Sequence, residues 1–441
     1  MDLNSPQVRS STFPGKIADM LSLVCALIFA PQAPNDFAKF LAKPSPSTWR
    51  VVREDQGQTE IELTSQTWQG SPWSHRILVQ QPAKIEYRGT GVLYITGDGP
   101  RDGDRTQIRL LSAATGMPVA MLFGVPNQPI WNMREDDLIA HTFEKYLATQ
   151  DPSWPLLFPM AKSAIKAMDA VEGATKSSSN PLKRFLVTGA SKRGWTTWLV
   201  GASGDKRVVG IAPMVYDNLN IPVQMKHQLG SWGKYSAMID DYTRRGLQAK
   251  LNTKLGQRMS AMVDPYSYRR FIKVPTLIVN GGNDPYWTVD ALGKYWTDLH
   301  QPKWARVIPN VGHDLGGGFL AIETIGMFGR SLAGAFKMPV WSAKTWKEDS
   351  GSFMTQFDVR SPGFIGGKVW VNTSSSLDFR DSKWDTIAQL SISQPSHAKG
   401  TKPSMRFMPK AQGNQAVLVE ARFRYGGREF SLTQPVRVFP R

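Results

Sequence analysis

The sequence predicts an α/β chain: a mostly parallel sheet with helices on both faces, a helical cap insertion, and a C-terminal β-sandwich. Three observations carry that expectation. From residue 91 to 336, apolar runs of strand length alternate with segments of helical period, the rhythm of strands joined by crossover helices. Phe185-Leu186-Val187-Thr188-Gly189-Ala190-Ser191 brings a strand-like run to a serine between Gly189 and Gly194, where a helix-like segment begins. Beyond Met338 the helical period stops, and short alternating strands follow between Gly- and Pro-bearing turns.

At 441 residues the chain is too long for one ordinary core, and we divide it at 1–33, 34–338 and 339–441. Arg9 and Lys16 precede an apolar run at 20–30, with small-residue exits at Ala30 and Ala33. This reads as a secretory signal peptide, too short to span a membrane, and implies a periplasmic or secreted protein. The competing reading is a buried amphipathic helix.

Strands are expected at 59–67 and 76–80, where alternation suggests antiparallel pairing, then at 91–96, 119–124, 186–188, 208–215, 276–280 and 305–309. Helices are expected at 105–114, 136–149, 156–173, 289–299 and 321–336, where apolar residues recur at helical spacing. Residues 220–268 are irregular and aromatic and read as the cap insertion. Trp232 and Tyr235 there either line a pocket or form the cap's own core. Strands at 353–359, 368–371, 386–392, 416–425 and 429–438 make up the sandwich.

Parallel sheets place ligand sites at the carboxyl ends of their strands. Ser191 follows the 186–188 strand, Asp284 the 276–280 strand and His313 the 305–309 strand. Singly, each has an ordinary reading as helix cap, turn former or loop histidine. Together, in the order Ser, Asp, His after three separate strands, they are the triad of an α/β-hydrolase. Ser191 would attack an acyl carbon, His313 would move its proton, and Asp284 would fix the imidazole tautomer. Asp217, after the 208–215 strand, is the rival acid. The oxyanion hole is expected from the Lys192 backbone N–H plus a donor from Asn127 or Gln128, because Pro126 has no N–H. One departure stands out: Arg193 occupies the second glycine position of G-x-S-x-G, and Gly194 comes one residue later.

Composition narrows the rest. Cys25 is the only cysteine and falls in the signal segment, so no disulfide framework or thiolate site is expected. His75, His141, His227, His300, His313 and His397 show no metal-binding spacing, and no metal or cofactor is expected. The net charge of +17 comes from Lys and Arg spread along the chain. That describes a basic surface, with an anionic surface as an open partner and no specific nucleic acid. The expected substrate is a small-molecule or peptide acyl compound, an ester or an amide.

The stretches Val187-Thr188-Gly189-Ala190-Ser191-Lys192-Arg193-Gly194-Trp195-Thr196-Thr197-Trp198, Gly124-Val125-Pro126-Asn127-Gln128-Pro129 and Asn280-Gly281-Gly282-Asn283-Asp284 resemble the PhoPQ-activated pathogenicity-related family. The likeness runs from about Val51 to the C-terminus. It implies a secreted or periplasmic α/β-hydrolase-like protein with a β-rich C-terminal part, and it carries the same arginine after the serine. It implies no particular substrate. Some relatives are regarded as secreted signalling factors, so a non-catalytic binding or signalling protein on a hydrolase scaffold is the alternative.

Overall fold

The computed structural model describes residues 35–55, 57–392, 400, 402–408 and 412–441. The signal segment expected at 1–33 lies outside the described residues. Among the described residues, nine strands precede the C-terminal part: β1 (Thr48–Asp55), β2 (Gln58–Trp68), β3 (Ser71–Gln80), β4 (Thr90–Ile95), β5 (Val119–Leu122), β6 (Arg184–Ala190), β7 (Val208–Met214), β8 (Thr276–Gly281) and β9 (Lys303–Ile308). Eight follow: β10 (Trp341–Lys347), β11 (Phe353–Val359), β12 (Phe364–Ser374), β13 (Trp384–Ser391), β14 (Ser404–Phe407), β15 (Asn414–Tyr425), β16 (Arg428–Thr433) and β17 (Arg437–Phe439).

The main sheet runs β1-β2-β3-β5-β4-β6-β7-β8-β9-β16-β15-β12-β13. Pairing is parallel from β5 through β9 and antiparallel on both flanks. The order β5-β4-β6 reflects crossovers, which need intervening helices; those at Asp102–Thr115, Glu135–Thr149 and Leu157–Thr175 supply them. Every residue of β4 and β5 is buried, as strands covered on both faces require. This is the α/β-hydrolase fold expected from the sequence.

The C-terminal strands form two antiparallel layers. β10, β11 and β14 make the smaller one, and Phe353 and Phe407 from it pack with Val369, Val371 and Val417 of β12 and β15. The larger layer is continuous with the main sheet, because Thr433 of β16 pairs with Ala305 of β9. From Pro34 to Arg441 the contacts form one compact unit. The change at residue 338 is therefore a change of architecture within a continuous sheet.

Residues 220–268 are mostly helical, led by Ile221–Trp232 and Lys254–Val263. The expected helix at 289–299 is instead two 3-10 turns, Ala291–Lys294 and Trp296–Asp298. Gly293 and the β-branched and aromatic residues around it are poor helix formers. The tighter turns bury Tyr295, whose hydroxyl donates to Asp217 at 2.6 Å.

Candidate active site

β6 ends at Ala190, and the Lys192–Ala202 helix begins two residues later. Ser191 makes the turn with φ 58° and ψ −123°, a strained conformation for a residue with a side chain. Its N–H donates to Met214 O of the next strand at 2.9 Å. Two glycines make room for the bend. A Cβ on Gly189 would meet Arg193 O at 2.8 Å, and one on Gly194 would meet Met214 O at 2.5 Å. The small residue that this turn needs is thus Gly194, and position 193 is free to carry a side chain.

Arg193 uses that freedom. Its Nε donates to Val125 O at 2.5 Å, and its Nη1 and Nη2 donate to the two Glu135 oxygens at 2.8 and 2.6 Å. Gly97 leaves space for the guanidinium, since a Cβ there would meet Nη2 at 2.6 Å. Glu135 also exchanges hydrogen bonds with Gln128, accepting from its Nε2 and donating its own N–H to Oε1. Arg193 therefore ties the elbow to the Gly124–Gln128 loop. Burial opposes ionisation of Glu135, but the guanidinium and the Lys192 ammonium outweigh it and bring the carboxyl down to about 2.

On that loop the Gly124 and Val125 N–H groups are already donated to Gly97 O and Thr96 O. The Asn127 side chain donates to Ser74 O, and the Gln128 side chain is engaged with Glu135. An oxyanion would have to be met by backbone N–H groups, those of Lys192 and of Asn127 or Gln128, rather than by the amide side chains.

Asp284 and His313 lie past the ends of β8 and β9. His313 Nδ1 is 2.8 Å from Asp284 Oδ2, and Asp284 Oδ1 accepts the Tyr286 N–H at 2.8 Å. Both carboxylate oxygens are thus engaged, on a residue that is 7% exposed. Tyr286 stacks its ring on the imidazole with centroids 4.1 Å apart. His313 Nε2 is buried without a hydrogen-bond partner among the described residues.

Asp217 is not joined to His313. It sits beneath, hydrogen-bonded by Tyr295. Burial is the main cause that raises its carboxyl to about 7; the Tyr295 hydroxyl opposes the rise and the Asp284 charge adds to it. A carboxyl raised on folding contributes stability at low pH and loses it as pH climbs through its folded value. Asp217→Asn, neutral at every pH, is therefore expected to gain more over wild type at pH 8 than at pH 5, by on the order of 2 kcal/mol. Urea unfolding at the two pH values checks this; an equal difference at both would refute it.

Ser191, Lys192 and Tyr286 open on a largely apolar cavity. One wall is Trp195 stacked on Tyr216, centroids 4.8 Å apart, and the cap contributes Ile239, Leu247, Leu251 and Met259. The polar corner is Asp136, which accepts from Lys192 Nζ at 2.8 Å and from the Tyr242 hydroxyl at 2.9 Å. Burial pulls the Lys192 ammonium down, but Asp136 and Glu135 outweigh it and hold it above its ordinary value. Trp232 and Tyr235 are not among the residues lining this cavity; Trp232 lies under the Arg380 guanidinium, 3.9 Å away. Glu135, Asp136 and Tyr286 were not singled out from the sequence. The signal was there for the two acids: an arginine beside the serine needs a counter-charge, and Glu135-Asp136 opens the helix after the Gln128 loop.

A serine on a strained elbow after β6, with an aspartate hydrogen-bonded to a histidine on the loops after β8 and β9, is the layout of an α/β-hydrolase scaffold. The chain belongs to the PhoPQ-activated pathogenicity-related protein family, which matches it over residues 41–380. It is 31% identical over 400 residues to autocrine proliferation repressor protein A of Dictyostelium discoideum, covering 84% of this chain and 79% of that protein. Similar solved structures include acetyl xylan esterase 1 of Thermoanaerobacterium sp. JW/SL YS485, with TM-score 0.48, 15% identity, and coverage of 68% of this chain and 94% of that one. The acetyl xylan esterase of Paenibacillus sp. R4 gives TM-score 0.46 and 15% identity over 66% of this chain and 92% of its own.

Proposed function

We propose that this chain is a secreted or periplasmic serine hydrolase acting on an ester or amide with an apolar acyl group. The observation that carries the reading is the Asp284–His313 pair, held at 2.8 Å through Nδ1, with Nε2 unpartnered and Tyr286 linking the imidazole to the Ser191 cavity. In this reading Ser191 Oγ bonds to the acyl carbon while its proton passes to His313 Nε2. The oxyanion that forms accepts from the backbone N–H groups of Lys192 and Asn127 or Gln128. Collapse breaks the bond to the alcohol or amine, which leaves with the proton from Nε2. Water then bonds to the acyl carbon as Nε2 takes its proton; the acyl–Oγ bond breaks, Ser191 Oγ recovers the proton from Nε2, and the carboxylic acid leaves. His313 Nε2 has no hydrogen-bond partner among the described residues, and substrate binding would bring the Ser191–His313 bond into line.

A fluorophosphonate probe is expected to label the wild type and not Ser191→Ala. Across esters of rising acyl length, kcat/KM is expected to climb about tenfold or more from acetyl to a medium-length chain, because the cavity wall is apolar. An unlabelled folded wild type would sink the reading, and acetyl as the best acyl group would sink the assignment of the cavity.

The name of the Dictyostelium relative supports a second reading, a secreted signalling protein on this scaffold. Under it, Ser191→Ala keeps the biological effect.

A further inference from the structure

We propose that the 379–384 turn of the C-terminal layer is a positioning clamp that sets the acid loop and the base loop against one another. The inference rests on the serine-hydrolase reading, and it gives the C-terminal layer a part in catalysis.

The turn links β12 to β13 and reaches both loops. Asn283, the neighbour of Asp284, directs its Nδ2 at three carbonyls of the turn: Phe379 at 3.3 Å, Arg380 at 3.0 Å and Ser382 at 2.8 Å. Asn310, three residues before His313, makes a reciprocal pair with Trp384. Its Nδ2 donates to Trp384 O at 2.9 Å, and its Oδ1 accepts the Trp384 N–H at 2.8 Å. The Trp384 indole is 1% exposed, and its Nε1–H donates to Gly282 O at 3.1 Å. Trp384 thus bonds to the base loop through its backbone and to the acid loop through its ring. Gly282 must be glycine for that approach, since a Cβ there would meet Nε1 at 2.9 Å.

The clamp is itself braced. Asn372 in β12 donates to Phe379 O at 3.3 Å and Ser382 O at 2.9 Å. Arg380 pairs with Asp378 and stacks on Trp232 of the cap. The acid and base loops also touch directly, through Gly282 N–H to Ile308 O and Asn283 N–H to Val311 O. The turn therefore governs their relative pose rather than their association. Catalytic geometry tolerates only about half an ångström of error, so a supporting shell of this kind acts on turnover more than on binding.

The test uses the full chain with two substitutions. Trp384→Phe keeps the ring and removes the indole donor. Asn310→Gly removes the amide from a residue at φ 58°, a conformation that glycine accepts. Phe353→Leu, in the sandwich core away from the turn, controls for loss of stability alone. For the fastest ester found, both clamp variants are expected to lower kcat about 10- to 100-fold with KM within about twofold, while Phe353→Leu leaves kcat unchanged. The low-field proton resonance of the His313 Nδ1–Asp284 bond should shift or broaden in the clamp variants only. A kcat within twofold of wild type in both clamp variants, or an equal fall in Phe353→Leu, overturns the proposal. If the wild type hydrolyses nothing, the serine-hydrolase reading fails by itself. The resonance then decides the clamp: moved in the clamp variants supports it, unchanged overturns it.

Discussion

Asp284→Asn is expected to lower kcat about 10⁴-fold while the protein stays folded. The carboxylate accepts from His313 Nδ1 on one oxygen and from the Tyr286 N–H on the other. An asparagine of the same shape keeps one acceptor, for the Tyr286 N–H, and turns its NH₂ toward the imidazole. Nδ1 must then accept, the ring proton moves to Nε2, and no lone pair is left there to take the Ser191 proton. The loss corresponds to about 5.5 kcal/mol of barrier. Substrate binding in the cavity should be little changed, since Asp284 does not line it. Asp217→Asn is the internal comparison: its carboxyl is hydrogen-bonded by Tyr295, so kcat should stay within a few-fold of wild type. Steady-state kinetics on the two variants separates the acids. The reverse ranking would move the triad acid to β7.

Gly194→Ala is expected to destabilise the fold and to displace Ser191 together. The added carbon would lie 2.5 Å from Met214 O and 3.2 Å from both Gly189 O and the Tyr216 Cβ. None of these is the far end of a flexible side chain. Met214 O already accepts the Ser191 N–H, so a shift that relieves the clash also moves the serine. Overpacking of this kind costs about 1–3 kcal/mol, and the rigidity of two buried strands puts this case at the upper end. Denaturant unfolding should show that loss, and probe labelling of Ser191 should fall with it. An alanine variant with wild-type stability and labelling would contradict the account of the elbow.

The parts of the site that lie next to strands in sequence were legible in sequence. Ser191, Asp284 and His313 each follow an apolar run, and the structure places all three past the ends of parallel strands. β1 was missed because all eight of its residues are exposed, with Val51 and Val52 set among charges, so no alternation marks it. The 289–299 segment kept a helix-like spacing of apolar residues, but burial of Tyr295 against Asp217 selected tighter turns. The Arg193 departure was visible; its cause was not, because the close contact that demands a glycine is between Gly194 and a carbonyl on another strand. The clamp was invisible for the same reason on a larger scale. Asn310 meets Trp384 74 positions away, and Trp384 meets Gly282 across 102, distances at which one sequence carries no pairing signal.

The pairing of β16 with β9 has a consequence for when the sheet is completed. A ribosome delivers the serine, the acid and the base well before it delivers Trp384 and β16. Chains acquire structure from the N-terminal end as they emerge, at about 5–20 residues per second. For that interval the sheet ends at β9, with an open edge, and the two loops lack their brace. Completion of the sheet is therefore tied to synthesis of its last strands, and a chain truncated before Trp384 carries Ser191, Asp284 and His313 without the turn that contacts the loops of the last two.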